Sequence, residues 1–273
     1  MTAATATTVP AARAGFLQLL SSEWTKIRSV RSTVWSLVIL AVLFPGFTAL
    51  FVGVGVSQWD QTSEEDKAQI VADPVAVILG SGFLTAQLAV CVLGVLVISS
   101  EYTTGMIRSS LLAVPRRLPM LAAKAVAFSL LVLAVSLVAA FASFFIGAPM
   151  LSGKVSVSLG DPGVLRAVVG GGLYLAVLGL FSLAIGAIIR HTAGGITAVI
   201  GFVLVLAPLV QLLPGKAGDY LHASMPTEAG HLIGQAKQAP DDLLTPWQGF
   251  GVFCLWTAAL LVIAAFLLKR RDA

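Results

Sequence analysis

The sequence predicts an all-α membrane protein, a single domain of six transmembrane helices, on three observations. Of 273 residues, 58% are hydrophobic and only 11% are charged, whereas an ordinary soluble domain is about a quarter charged. The apolar residues gather into six long runs, each near the roughly 20 needed to cross a bilayer. The basic residues collect in alternate connections between those runs. The spans are read as helices because lipid offers no partner to open backbone groups.

Residues 1–14, rich in Ala and Thr, read as a disordered tail, and 15–273 as the six-span domain. The stretch "GFLQLLSSEWTKIRSVR" follows. Phe16, Leu20, Trp24, Ile27 and Val30 recur at helical spacing on one face, with Gln18, Ser22, Thr25, Lys26 and Ser29 on the other. This predicts an amphipathic helix lying in the membrane interface, either a functional element or a plain juxtamembrane anchor. The first apolar run begins near Thr33 and exceeds a signal-peptide core in length, so no secretory signal is expected.

The predicted spans are Thr33–Val56, Val75–Ser99, Ala125–Met150, Val164–Ile189, Ala193–Leu213 and Gln248–Leu268. Only "RHT" (Arg190–Thr192) separates the fourth from the fifth, which predicts a tight turn. Pro45 and Pro208 are expected to kink their helices. Gly172, Gly179 and Gly186 recur every seven residues in the fourth span, and Gly194 and Gly201 repeat that spacing in the fifth. Such ridges let helices approach closely. The facing helix belongs to this chain or to a second copy, and packing within the chain is the simpler expectation.

Placing the N-terminus in the cytoplasm puts 12 of the 17 basic residues inside and 5 outside. Only the basic count sets orientation, so both termini are expected to be cytoplasmic in a bacterial cell membrane. Trp35, Trp59, Tyr102 and Trp247 fall at span ends, where amphipathic rings favour the headgroup layer. Trp256 falls within the sixth span and is expected to pack there.

Several chemistries are excluded. No span carries an ionisable residue away from its ends, which removes the usual proton relay of a gradient-driven carrier. "GAPMLSGKV" imitates a phosphate-binding loop but has Gly147 one residue early and Val155 where Ser or Thr is required. The "GSG" at Gly80–Gly82 has no histidine at membrane depth, since His191, His222 and His231 all read as loop residues. "SEED" (Ser63–Asp66) reads as a solvated acidic loop. Cys91 and Cys254 read as small apolar residues. Metal-ligand spacing is absent, and no basic patch interleaved with aromatics supports nucleic-acid binding.

The connection from the second span to the third is "SSEYTTGMIRSSLLAVPRRLPMLAAK", Ser99–Lys124. It resembles the corresponding loop of type-2 ABC transporter permeases in an acid, a glycine four residues on, then Arg, paired apolar residues, Pro, Arg and Lys. Here those are Glu101, Gly105, Arg108, Leu111, Leu112, Pro115, Arg117 and Lys124. Met106 stands where Thr is common. "SEWTKIRSVRSTVW" is similar to the family's interfacial helix entering span one. "MPTEAG", "TPWQGF" and "LLKRRDA" resemble actinobacterial members, and Pro214–Trp247 falls where the family has short re-entrant helices.

The resemblance implies a short cytoplasmic coupling helix between spans two and three, begun by Glu101 and ended by Pro115. It implies a separate ABC nucleotide-binding ATPase subunit that carries the ATP, with no cofactor in this chain. It also implies a homodimer or heterodimer with a second permease, in contact with membrane lipid. The cargo expected is a hydrophobic or amphipathic solute such as a lipid-like molecule, peptide or drug, moved outward. The chain is expected not to be an enzyme itself. The alternative is a non-transporting immunity or assembly factor on the same scaffold.

Overall fold

A computed structural model describes residues 15–106, 117–239 and 242–270. The helices, in chain order, are α1 Phe16–Ser29, α2 Arg31–Ser57, α3 Glu64–Ala72, α4 Pro74–Thr103, α5 Arg117–Leu151, α6 Val164–Ile189, α7 Thr192–Ile200, α8 Ala207–Gln211, α9 Lys216–Ala223, α10 Pro226–His231 and α11 Pro246–Arg270. Among the described residues there are six apolar helices long enough to cross a membrane: α2, α4, α5, α6, the α7–α8 pair and α11. With six crossings, the interfacial helix α1 and the end of α11 lie on the same side, here called the terminal side.

Spans two and four (α4 and α6) form the centre and are mostly buried, while spans one, five and six present apolar side chains outward. Lipid is as apolar as leucine, so these helices are joined by close packing and hydroxyl bonds. A Cβ on Gly82 of α4 would lie 2.2 Å from the Phe44 carbonyl of α2, and the Thr48 hydroxyl lies 3.1 Å from both the Phe44 and Ile78 carbonyls. Ser136 of α5 donates to the Gly172 carbonyl of α6 at 3.0 Å.

The glycine ridge on α6 packs inside the chain. A Cβ on Gly172 would meet Leu137 of α5 at 2.6 Å, one on Gly179 would meet Phe128 at 3.0 Å, and one on Gly186 would meet Ile98 of α4 at 2.8 Å. Gly194 and Gly201 do not continue that ridge: Gly194 faces its own turn, and nothing lies within 4 Å of a Cβ on Gly201.

Four sequence expectations need correction. Span three is already helical at Arg117, the first described residue after the connection and two turns before the expected Ala125, and the helix runs on through Pro119. Span five is interrupted by a π-helical segment, Gly201–Leu206. Pro208 cannot donate to the Leu204 carbonyl, and the turn before it widens. "SEED" is the start of a helix and not a loop: the Ser63 hydroxyl accepts the Asp66 N–H at 3.1 Å, and Glu64, Glu65 and Asp66 occupy the positive end of the α3 dipole. Trp256 is not enclosed by its span; its Nε1 donates to the Ser224 carbonyl at 3.1 Å, holding the end of α9.

On the far side, α10 and the turn after it dip between the spans. Gly170 of α6 lies against the Ile233 carbonyl, and Gly230 lies against Phe253 and Tyr174. Tyr174 is ten residues into α6, or roughly 15 Å, half the depth of a hydrocarbon core. The segment is therefore re-entrant in geometry. Asp73 fastens it: Oδ1 caps α4 at the Ala76 N–H, and Oδ2 accepts the N–H groups of Ala236 and Lys237 at 3.0 and 3.1 Å. His231 is helical and lies edge-on to Phe83, with ring centroids 5.3 Å apart.

Candidate functional site at the terminal side

Four charged side chains meet where α1, α4 and α5 converge. Lys124 of α5 is 1% exposed. Its Nζ donates to Glu23 Oε2 of α1 and, at 2.8 Å, to Glu101 Oε1 of α4. Lys26 of α1 completes the group, 2.6 Å from Glu23 Oε1 and 3.7 Å from Glu101 Oε1. Glu23 and Glu101 are buried too. Two acids and two bases give no net charge, which makes burial of Glu23, Glu101 and Lys124 tolerable, with Lys26 half-buried at the edge. Burial acts to lower the pKa of Lys26, but the hydrogen bond and charge of Glu23, with help from Glu101, outweigh it and hold the ammonium above its usual 10.5.

Local helix geometry aims these groups. Glu23 follows Leu19 by four residues and precedes Ile27 by four, and these three make the buried ridge of α1. Phe16, Trp24 and Val30 of the expected apolar face are 46, 37 and 37% exposed. Leu20 is half-buried beside the core, Ile27 is buried in it, and Val30 is the C-cap and not a helical residue. The face thus divides into a ridge on the bundle and an outward apolar edge.

Glu101 does not begin a separate helix. It lies in the last turn of the 30-residue α4, with its carboxylate turned into the cluster. The helix stops at Gly105, whose φ of +69° is a backbone conformation that glycine adopts readily. Arg108, Leu111, Leu112 and Pro115 lie outside the described residues. The chain is described again from Arg117, whose guanidinium donates to the Leu268 carbonyl of α11 at 2.8 Å. Nearby, Arg190 turns the chain between spans four and five at φ 60°. Its guanidinium lies over the Tyr102 ring at 5.0 Å, and Thr192 donates to Ser99 at 3.0 Å.

Both ends of the 107–116 connection are therefore anchored. Glu101 and Lys124 pin α4 to α5 and to α1, and Arg117 pins α5 to α11. Among the described residues no group of three or more His, Cys, Asp or Glu could hold a metal ion.

A family model described as ABC-2 family transporter protein matches residues 19–208, from α1 through spans one to four and into span five. The chain belongs to the ABC-2 transporter family. The match includes all four members of the charge cluster and both anchors of the connection. No curated protein matches the chain. As a family member the chain is a multi-pass membrane permease component of ABC transport.

Sequence reasoning missed the cluster, although it noted Glu101 and Lys124 as members of one motif. The available signal was Glu23, an acid in the middle of the apolar face that Leu20, Trp24 and Ile27 define.

Proposed function

We propose that this chain is the membrane-spanning half-unit of an ATP-driven exporter, worked by a separate nucleotide-binding subunit that docks on the 101–117 connection. The terminal side is cytoplasmic in this reading, in line with the 12 basic residues assigned there. Two permeases pair, and a hydrophobic or amphipathic solute moves outward. ATP is bound and hydrolysed on the partner.

The observation that carries the reading is the buried Glu23–Lys124–Glu101 bridge. It unites three helices around one connection and so converts a push on that connection into a joint movement of spans two and three. The far-side helices α9 and α10, with Asp73 and Trp256 as their fastenings, are the elements such a movement would shift at the other face.

Leu111→Asp tests this. The variant is expected to reach the membrane in normal amount but to lose co-purification with the ATPase subunit, or to lose coupling of hydrolysis to export. Ser63→Ala on the far side is expected to leave both intact. Wild-type ATPase binding and export by Leu111→Asp, or ATP hydrolysis by the purified chain alone, would overturn the proposal.

A further inference from the structure

On the far side, the starts of α4 and α6 and the turn after α10 enclose a cavity of about 620 Å³, the size of a small-molecule site. Val71, Val75, Val155, Val157 and Val164 give it apolar walls. Gly163 shapes it. At φ +83° this residue comes so close to the turn that a Cβ on it would lie 2.2 Å from the Ala236 carbonyl.

Four charged side chains line the same cavity: Asp73, Asp161, Arg166 and Lys237. The two acids are committed to backbone donors. Asp73 spends Oδ1 on the Ala76 N–H and Oδ2 on the Ala236 and Lys237 N–H groups. Asp161 is exposed, and its Oδ2 accepts the Ser158 N–H at 2.8 Å. Arg166 is not matched in this way. Its Nη2 donates to the Ala236 carbonyl at 3.0 Å, whereas its Nη1 is buried and has no hydrogen-bond partner among the described residues.

A role as a pin for the turn accounts for Nη2 but not for Nη1. Arg166 is also the third residue of α6, where the positive end of the helix dipole opposes a cation. A buried donor left unmade adds to that cost. An oxyanion in the cavity relieves both, since a guanidinium takes a carboxylate or phosphate through paired N–H groups. The valine walls suit an apolar body attached to that anion. A cationic ligand would instead face Arg166 and Lys237, with acids already engaged.

We infer that this cavity binds an amphipathic anion, with its carboxylate or phosphate at Arg166, Lys237 at the rim, and its apolar part against the valine walls. The site goes beyond the exporter reading and rests on neither the orientation nor an ATPase.

The full-length chain in non-ionic detergent, without ATP or any ATPase, is titrated with dodecyl phosphate, with dodecyltrimethylammonium and with inorganic phosphate. Bound ligand is read by native mass spectrometry. One dodecyl phosphate is expected to be retained at concentrations where inorganic phosphate and the cation with the same tail are both lost. Arg166→Gln is expected to weaken its retention about tenfold. That variant also loses the contact with Ala236, so two variants at exposed positions accompany it. Lys237→Gln is expected to weaken retention about threefold, and Ser156→Trp, in the cavity lining, to abolish it. Equal retention of the two dodecyl compounds, inorganic phosphate held as firmly as dodecyl phosphate, or unchanged retention in any of the three variants would each overturn the site. Because no ATPase is present, failure here leaves the exporter reading standing, and failure of ATPase coupling leaves this site standing.

Discussion

Lys124 shows how one residue unites three elements. Its ammonium is shared by carboxylates 101 and 23 residues away in sequence, so its removal leaves two buried acids with only Lys26, 2.6 Å from Glu23 and 3.7 Å from Glu101. Breaking a buried ion pair from one side costs about 3–5 kcal/mol, whereas replacing the whole group with neutral side chains of similar size is close to neutral. Lys124→Met is therefore expected to lower the thermal midpoint of the detergent-solubilised protein by several degrees. The triple variant Lys124→Met, Glu23→Gln, Glu101→Gln is expected to recover most of the loss, because the one charge it leaves without these carboxylates is Lys26, whose side chain is 31% exposed and reaches water. A triple variant less stable than Lys124→Met would show that the ion pairs themselves, and not the stranded charges, set the cost.

Among the described elements, α10 carries a buried histidine whose charged form is disfavoured. Desolvation lowers the pKa of His231, and the Glu228 carboxylate one turn earlier opposes this only in part. A histidine whose pKa is depressed by folding stabilises the docked state above its ordinary value of 6.5, and that stability is lost as pH falls below 6.5 toward the folded value. A cysteine at buried Thr227 is accordingly expected to react with a thiol reagent faster at pH 5 than at pH 7.5, and His231→Phe is expected to flatten that difference. Equal rates at both pH values in the parent chain would remove His231 from any control of α10.

The same elements mark what the sequence could disclose. The six spans were legible because a bilayer demands about 20 apolar residues wherever the chain crosses, and the fourth span has the expected limits, Val164–Ile189. The first two turns of α5 were not legible, since Arg117, Pro119 and Lys124 break the apolar run although the helix continues through them. His231 read as a loop residue because its six-residue helix is held by Gly230 against Phe253 and Tyr174, contacts distant in sequence. Glu101 was visible as part of a motif, but its partner in α1 depends on tertiary approach, and only the misfit of Glu23 on an apolar face hinted at it.

The charge pattern of the whole molecule complements its architecture. Ten of the 13 acids fall with α3, α9, α10 and the other far-side connections, while most of the basic residues fall on the terminal side. Acids contribute little to the choice of orientation, but Lys and Arg in short connections resist translocation, so the 12 against 5 distribution favours the cytoplasmic terminal side of the proposed reading. Single cysteines at Ser63, the cap of α3, and at Ala239, beyond the re-entrant turn, are then expected to react with a membrane-impermeant maleimide in intact cells. A cysteine at Ser110, in the connection between α4 and α5, is expected to react only after the membrane is opened. The native Cys91 is buried and Cys254 half-buried within spans, so both are expected to contribute little background to the labelling. Labelling of Ser110→Cys from outside would invert the molecule: it would put the 101–117 connection out of reach of a cytoplasmic ATPase.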